Sequence, residues 1–341
     1  MLKLKSWLWS LIRIGVTVAA VLVLFAVVLG CCVESLLFRP PAWNGNKDEF
    51  TMLDAGSEKI ALLYYPGAPG GKVILYSHGN AEDLSSVRHL LAEYQRHGYS
   101  AAGYDYEGYG ASAGKPSSAA ACRDIEAVYH YLTGEKGISP AEIVVIGFSV
   151  GSGPACYLAE KYPVGALVLE APFASAFQVV LPFGGLPGDR FPNAERVRNI
   201  KVPLLVIHGR KDRVIPVRNG KKVFENAAVP GELILVPDAG HNDLKEVLDR
   251  EYWKILADFS AVNSKKNHCF FCIYSGRSGV YFSFFSWTFG EGGAVLRQRD
   301  APGAVLPTGM NFNSRQFAAP RSFWTFSSIM DFIFGVSRAI R

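Results

Sequence analysis

A serine between glycines, a later aspartate and a still later histidine are the residues of this 341-residue chain most suited to chemistry. Gly147-Phe148-Ser149-Val150-Gly151 matches G-x-S-x-G; it follows the apolar run Ile143-Val144-Val145-Ile146 and precedes a helix-forming stretch. A strand, a sharp turn and a helix would lift the serine Oγ above a sheet, and the glycines leave room for the turn. A serine hydroxyl is a poor nucleophile at neutral pH, so it needs a histidine to take its proton and a carboxylate to orient that histidine. Asp212 and His241, each just after a strand-like run, supply both in the order Ser, Asp, His. Glu170, at another strand end, is the alternative acid. A tetrahedral intermediate also needs donors for its oxygen, and the backbone N–H groups of Asn80 and Val150 are the candidates. His78 is expected to brace the Asn80 loop and His208 to pack at its strand end.

These residues need a frame to bring them together. Strand-like runs are expected over 59–65, 73–77, 100–104, 143–147, 166–170, 204–208 and 232–236, with helices over 84–97, 118–133, 152–161, 218–226 and 243–259. Such alternation is the α/β signature, and runs such as Leu204-Leu205-Val206-Ile207 suit central strands of a mostly parallel sheet covered on both faces. Ser, Asp and His on separate strand ends can then converge. Between 171 and 201 the alternation lapses into a short insertion expected over the ligand-binding edge; its Phe173, Phe177, Leu181 and Phe183 are the candidate substrate contacts. The acid- and glycine-bearing run from Asp105 to Ser112 is expected to be a turn that keeps the chain clear of the nucleophile.

With 49% hydrophobic and 19% charged residues the chain can bury a sizeable core, which excludes a fibrous, low-complexity or broadly disordered protein. The net charge of +5 comes from the tail: residues 262–341 hold nine Lys/Arg against three Asp/Glu, which is +6 and leaves −1 for the first 261. No nucleic-acid partner is therefore expected. Six scattered cysteines do not make a disulfide scaffold. His268, Cys269 and Cys272 offer at most three ligands and no second pair, so no metal is expected. The absence of a P-loop or dinucleotide glycine fingerprint at a strand–helix junction argues for no cofactor.

Residues 14–33 carry no charge and as a helix would span roughly 30 Å, the thickness of a bilayer's hydrocarbon. Lys3, Lys5 and Arg13 precede them without an acid, and Trp7 and Trp9 sit where an interfacial belt would lie. One transmembrane helix is expected, with the N-terminus cytoplasmic and the catalytic domain on the non-cytoplasmic side. Val28-Leu29-Gly30-Cys31 resembles a lipoprotein cleavage box, and a secretory signal has the same order of charge and apolarity, so lipoprotein and secreted forms are the alternatives. The expected organisation is an anchor over 1–38, a catalytic domain over 39–261 and a tail over 262–341. That tail holds twelve of the 22 Phe, shows no sustained period and is assigned no fold.

Five stretches together resemble an α/β-hydrolase: Leu75 to Leu84 (LYSHGNAEDL), Asp105 to Ser112 (DYEGYGAS), Gly147 to Gly153, His208 to Pro216 and Gly240 to Leu244 (GHNDL). The resemblance is to the membrane-anchored depalmitoylase-like and serine-aminopeptidase-like branch. It implies a serine hydrolase of esters, thioesters of acylated proteins or peptides, working through an acyl-enzyme with Ser149 as nucleophile, Asp212 as orienting acid and His241 as base. The apolar insertion and the anchor favour acyl substrates. The competing class is a catalytically idle α/β-hydrolase scaffold that binds a lipid or protein partner.

Overall fold

The computed structural model describes residues 2–181, 184, 188–229, 231–262, 268–273, 283–290 and 293–300. The chain divides into two compact units, Met1–Cys272 and Ile273–Arg341.

The first unit opens with helix α1 (Leu2–Leu37). Its described side chains Trp7, Trp9, Ile14, Val16, Val18, Val21, Val23 and Leu24 are exposed. Among the described residues no helix is long and apolar enough to cross a membrane. Ten side chains of the expected span, those of residues 19, 22 and 25–32, lie outside the description.

An eight-stranded sheet follows, built from β1 (Thr51–Asp54), β2 (Lys59–Tyr65), β3 (Val73–Ser77), β4 (Ser100–Tyr104), β5 (Ile143–Phe148), β6 (Ala166–Glu170), β7 (Leu204–Gly209) and β8 (Glu232–Val236). The spatial order is β1-β2-β4-β3-β5-β6-β7-β8. β1 and β2 run antiparallel to their neighbours, and the other pairings are parallel. The parallel strands are linked through α2 (Leu84–Arg96), α3 (Ser118–His130), α4 (Ser152–Lys161), α5 (Asn193–Arg196) and α6 (Arg218–Glu225), and after β8 come α7 (Leu244–Leu248) and α8 (Arg250–Val262).

The period-two alternation of a strand divides its side chains between the faces. Leu75 and Val145 join Ile125, Leu158 and Val223 of α3, α4 and α6 in one core. Ile74, Tyr76, Val144 and Ile146 join Leu91 of α2 and Leu256 of α8 in the other. Truncating one such side chain to Ala would cost about 2–5 kcal/mol. Helix starts follow local chemistry: Asp83 caps α2 by accepting from the Ser86 amide, and Ser117 caps α3 by accepting from Ala120.

β1 and α5 answer to no expected element, and the other main departures lie in two helices and the tail. The helix expected over 118–133 ends at His130 and closes in a π turn, Tyr131–Glu135, with the Lys136 amide donating to the Tyr131 carbonyl. The helix expected over 243–259 breaks at Asp249, whose φ of 45° no α-helix accommodates. In the tail, to which no fold was assigned, β9 (His268–Ile273) falls at the boundary of the two units, and in the second unit β10 (Ser283–Gly290) and β11 (Gly293–Asp300) pair antiparallel with Ser283 opposite Asp300.

Candidate active site

At the end of β5 the chain turns into α4 through Ser149, which has φ 52°, the left-handed region that a non-glycine residue enters only when its surroundings hold it there. The neighbouring glycines make this possible. A Cβ on Gly151 would lie 2.1 Å from the Ser77 carbonyl oxygen, and one on Gly147 would lie 2.5 Å from that of Gly151. The Ser152 hydroxyl donates back to the Ser149 carbonyl at 2.7 Å, and the Asn193 amide donates to Ser152 Oγ at 3.2 Å, which ties the insertion to the turn.

The three residues read from the sequence meet. Ser149 Oγ is 3.0 Å from His241 Nε2, and His241 Nδ1 is 2.7 Å from Asp212 Oδ2. A carboxylate only accepts, so Nδ1 carries the hydrogen, and Nε2 is left to accept from the serine. Asp212 Oδ1 takes the amides of Val214 and Ile215, each at 2.8 Å. Burial alone would raise the Asp212 carboxyl, but the contacts with His208 and His241 and the Ile215 amide outweigh it and hold it well below the usual carboxylate range. Asp212 is therefore anionic wherever His241 has to act as a base.

Glu170, the alternative acid, is spoken for. It is fully buried, accepts from the Tyr252 hydroxyl at 2.6 Å and pairs with Lys245 Nζ. The Lys245 ammonium lies 5.1, 5.7 and 5.8 Å from the ring centroids of Tyr252, Tyr76 and Phe148.

Asn80 lies on the loop after β3. Its side-chain oxygen accepts from the Arg39 amide at 2.5 Å and from the Tyr109 hydroxyl at 2.9 Å. His78 is buried and braces this loop as expected: Nδ1 is 2.8 Å from the Gly79 carbonyl oxygen, and the ring packs 4.4 Å from that of Tyr106. Burial lowers its pKa to about 4, so it is neutral near pH 7 and unsuited to accept a catalytic proton there. The run from Asp105 to Ser112 is a turn, closed by the Asp105 carboxyl on the Leu84 and Ala111 amides. At Gly110 a Cβ would lie 2.0 Å from Asp105 Oδ2.

In the insertion, Phe173 and Phe177 are each 2% exposed. Phe173 belongs to the main core, whereas Phe177 packs with Ala176 and Val33 of α1, with Leu181 partly buried beside them. Phe183 lies outside the described residues. The sequence reading missed how the foot of α1 is fastened: Glu34 accepts from the Ser118 amide and hydroxyl at 2.8 and 2.7 Å and from Arg190 Nε at 2.7 Å. Partners 84 and 156 residues apart leave no local pattern by which to find them. No group of His, Cys, Asp or Glu that could hold a metal occurs among the described residues.

Comparison with known proteins places the chain among relatives of the same fold. A family profile described as "Serine aminopeptidase, S33" matches residues 68–184. Alpha/beta hydrolase domain-containing protein 17B of Homo sapiens is 36% identical over 191 residues, 55% of this chain and 66% of that protein. Its Xenopus laevis counterpart is 35% identical over 207 residues, 60% of this chain and 71% of that protein. The match thus spans about two thirds of the length of these relatives. An esterase of Pyrococcus furiosus, 20% identical, superposes with a TM-score of 0.56 over 67% of this chain and 98% of its own, a likeness of fold. The chain belongs to the α/β-hydrolase superfamily, in the branch that includes the alpha/beta hydrolase domain-containing 17 proteins.

Proposed function

We propose that this protein is a serine hydrolase of acyl esters or thioesters, with peptides as the remaining substrate class, acting through an acyl-enzyme. The observation that carries the reading is the unbroken contact from Ser149 Oγ through His241 to Asp212, at 3.0 and 2.7 Å. Ser149 Oγ attacks the substrate carbonyl while His241 Nε2 takes its proton, and Asp212 stabilises the imidazolium that forms. The N–H groups of Asn80 and Val150 hold the developing oxyanion. Collapse of the tetrahedral intermediate expels the leaving group, which receives the proton from His241. A water deprotonated by the same nitrogen then releases the acid and restores Ser149. The cycle needs no cofactor.

Helix α1 seats the enzyme at a membrane, N-terminus on the cytoplasmic side and catalytic domain opposite, in this reading. Its support is the uncharged stretch over 14–33, the preceding basic residues and the exposed apolar side chains of the described part of α1. Acyl substrates are favoured in this reading on the apolar composition of the insertion, although Phe173 and Phe177, buried in the core and against α1, are not free to contact them.

The test is hydrolysis of p-nitrophenyl esters of increasing chain length by the full chain, beside Ser149→Ala, with a fluorophosphonate probe on both. Turnover and labelling that vanish in the variant are expected. A folded protein that neither turns over nor labels would leave the scaffold reading in possession. Carbonate washing and protease protection of vesicles carrying the full chain test its seating and sidedness.

A further inference from the structure

His208 is fully buried at the end of β7, four residues before Asp212. Its Nε2 lies 2.8 Å from the Ile215 carbonyl oxygen, and since a carbonyl only accepts, Nε2 carries the hydrogen. The same nitrogen is 3.3 Å from Asp212 Oδ2, a second and longer contact beside that hydrogen bond. Oδ2 is also the oxygen that accepts from His241. Ile215, whose carbonyl His208 holds, donates its amide to Asp212 Oδ1. The turn from Asp212 to Ile215 is thus closed from both ends. Two amides fix one carboxylate oxygen, and His208 fixes the turn that presents them while its ring edge lies against the other oxygen.

The far side of the ring supports the same view. His208 Nδ1 is buried without a hydrogen-bond partner, and a Cβ on Gly220 would lie 2.3 Å from it. The site therefore retains an imidazole with one nitrogen unsatisfied, a cost that an apolar side chain of similar volume would not incur. A residue that only filled space at the strand end would have no need of Nε2.

We propose that His208 is a positioning residue for the hydrolytic reaction: it holds the Asp212 carboxylate in the orientation that His241 requires. The proposal rests on the Ser149–His241–Asp212 reading above. His208 touches none of the reacting atoms and acts through Asp212 alone.

The experiment is a set of variants in the full chain, assayed with p-nitrophenyl butyrate and corrected for Ser149→Ala. His208→Leu removes the donor and should lower kcat about three- to tenfold, the rate equivalent of one uncharged hydrogen bond, with KM little changed. His208→Gln places an amide donor near the position of Nε2 and should recover most of that loss. If the Leu variant does not fold, His208→Asn carries the same test, because its amide is polar but too short to reach Ile215. In an Asp212→Asn background the Leu or Asn change should have no further effect on kcat, since the group it positions is gone. An unchanged kcat in a folded Leu or Asn variant would overturn the proposal. So would equal losses in the Gln and Leu variants, or a loss that multiplies undiminished on Asp212→Asn. Asp212→Asn alone at full turnover would instead withdraw the triad beneath it.

Discussion

The backbone amide of Arg39 donates to the side-chain oxygen of Asn80 at 2.5 Å, so the chain leaving helix α1 is bound directly to the loop we assign to the oxyanion hole. The Tyr109 hydroxyl reaches the same oxygen. Asn80→Ala keeps the backbone N–H that would face the oxyanion and removes only what holds it still. One uncharged hydrogen bond corresponds to about 0.5–1.5 kcal/mol, hence a fall in kcat of about three- to tenfold, with KM unchanged. Steady-state kinetics with a chromogenic ester measure this; a variant with lower Tm but unaltered kcat would reduce the contact to a structural one.

Two carboxylates compete for the role of triad acid, and their surroundings separate them. Asp212 should be indispensable, with Asp212→Asn lowering kcat by about 10⁴ through the wrong histidine tautomer. Glu170→Gln should leave turnover within a few-fold while lowering stability, because Lys245, partly exposed, loses its partner. Loss of a hydrogen-bonded buried charge costs about 1–3 kcal/mol here, discounted for the solvent that reaches Lys245. Comparing kcat and the unfolding midpoint of the two variants decides the matter, and the reverse ranking would transfer the acid's role to Glu170.

The triad was legible because each member follows an apolar run long enough to read as a buried strand, and strand ends of a parallel sheet lie side by side. β1 was not, since only one of its four residues is buried and it shows no alternation. Nor could a local pattern reveal the pairing of Glu170 with Lys245, 75 residues later, or the break at Asp249. The apolar residues of the insertion illustrate the limit most plainly. Composition foretold that Phe173 and Phe177 would avoid water, but whether they meet substrate, core or helix α1 depends on packing that spacing does not encode.

Burial gives the fold a dependence on pH whose sign can be worked out. It raises the carboxyls of Asp105 and Asp124 from an ordinary value of 3.8 to about 7 and about 8. The stability that their protonated forms contribute is fully present below the ordinary value and is lost as pH rises through about 7 and 8. His78, lowered from 6.5 to about 4, works the other way, its contribution being lost as pH falls through that window. Two carboxyls outweigh one imidazole, so Tm should be higher near pH 5 than near pH 8. Asp124→Asn should shrink the difference; a Tm that climbs from pH 5 to pH 8 would contradict the argument.

The docking of α1 against the insertion combines an apolar contact with an ion pair, and the magnitudes rank them. Phe177 is buried against Val33 and Ala176, so Phe177→Ala leaves a cavity worth about 3–5 kcal/mol. Glu34 and Arg190 remain 29% and 34% exposed, and such a pair contributes about 1 kcal/mol or less, to which the Ser118 hydrogen bonds held by Glu34 add a similar amount. Thermal unfolding of the full chain should therefore show a larger fall for Phe177→Ala than for Glu34→Ala, and the fall for Phe177→Ala should shrink once residues 1–39 are deleted, because Val33, its partner on α1, is then absent. Should Glu34→Ala prove the more damaging, the foot of α1 is held by its charge network, and Phe177 is free to face the acyl chain instead.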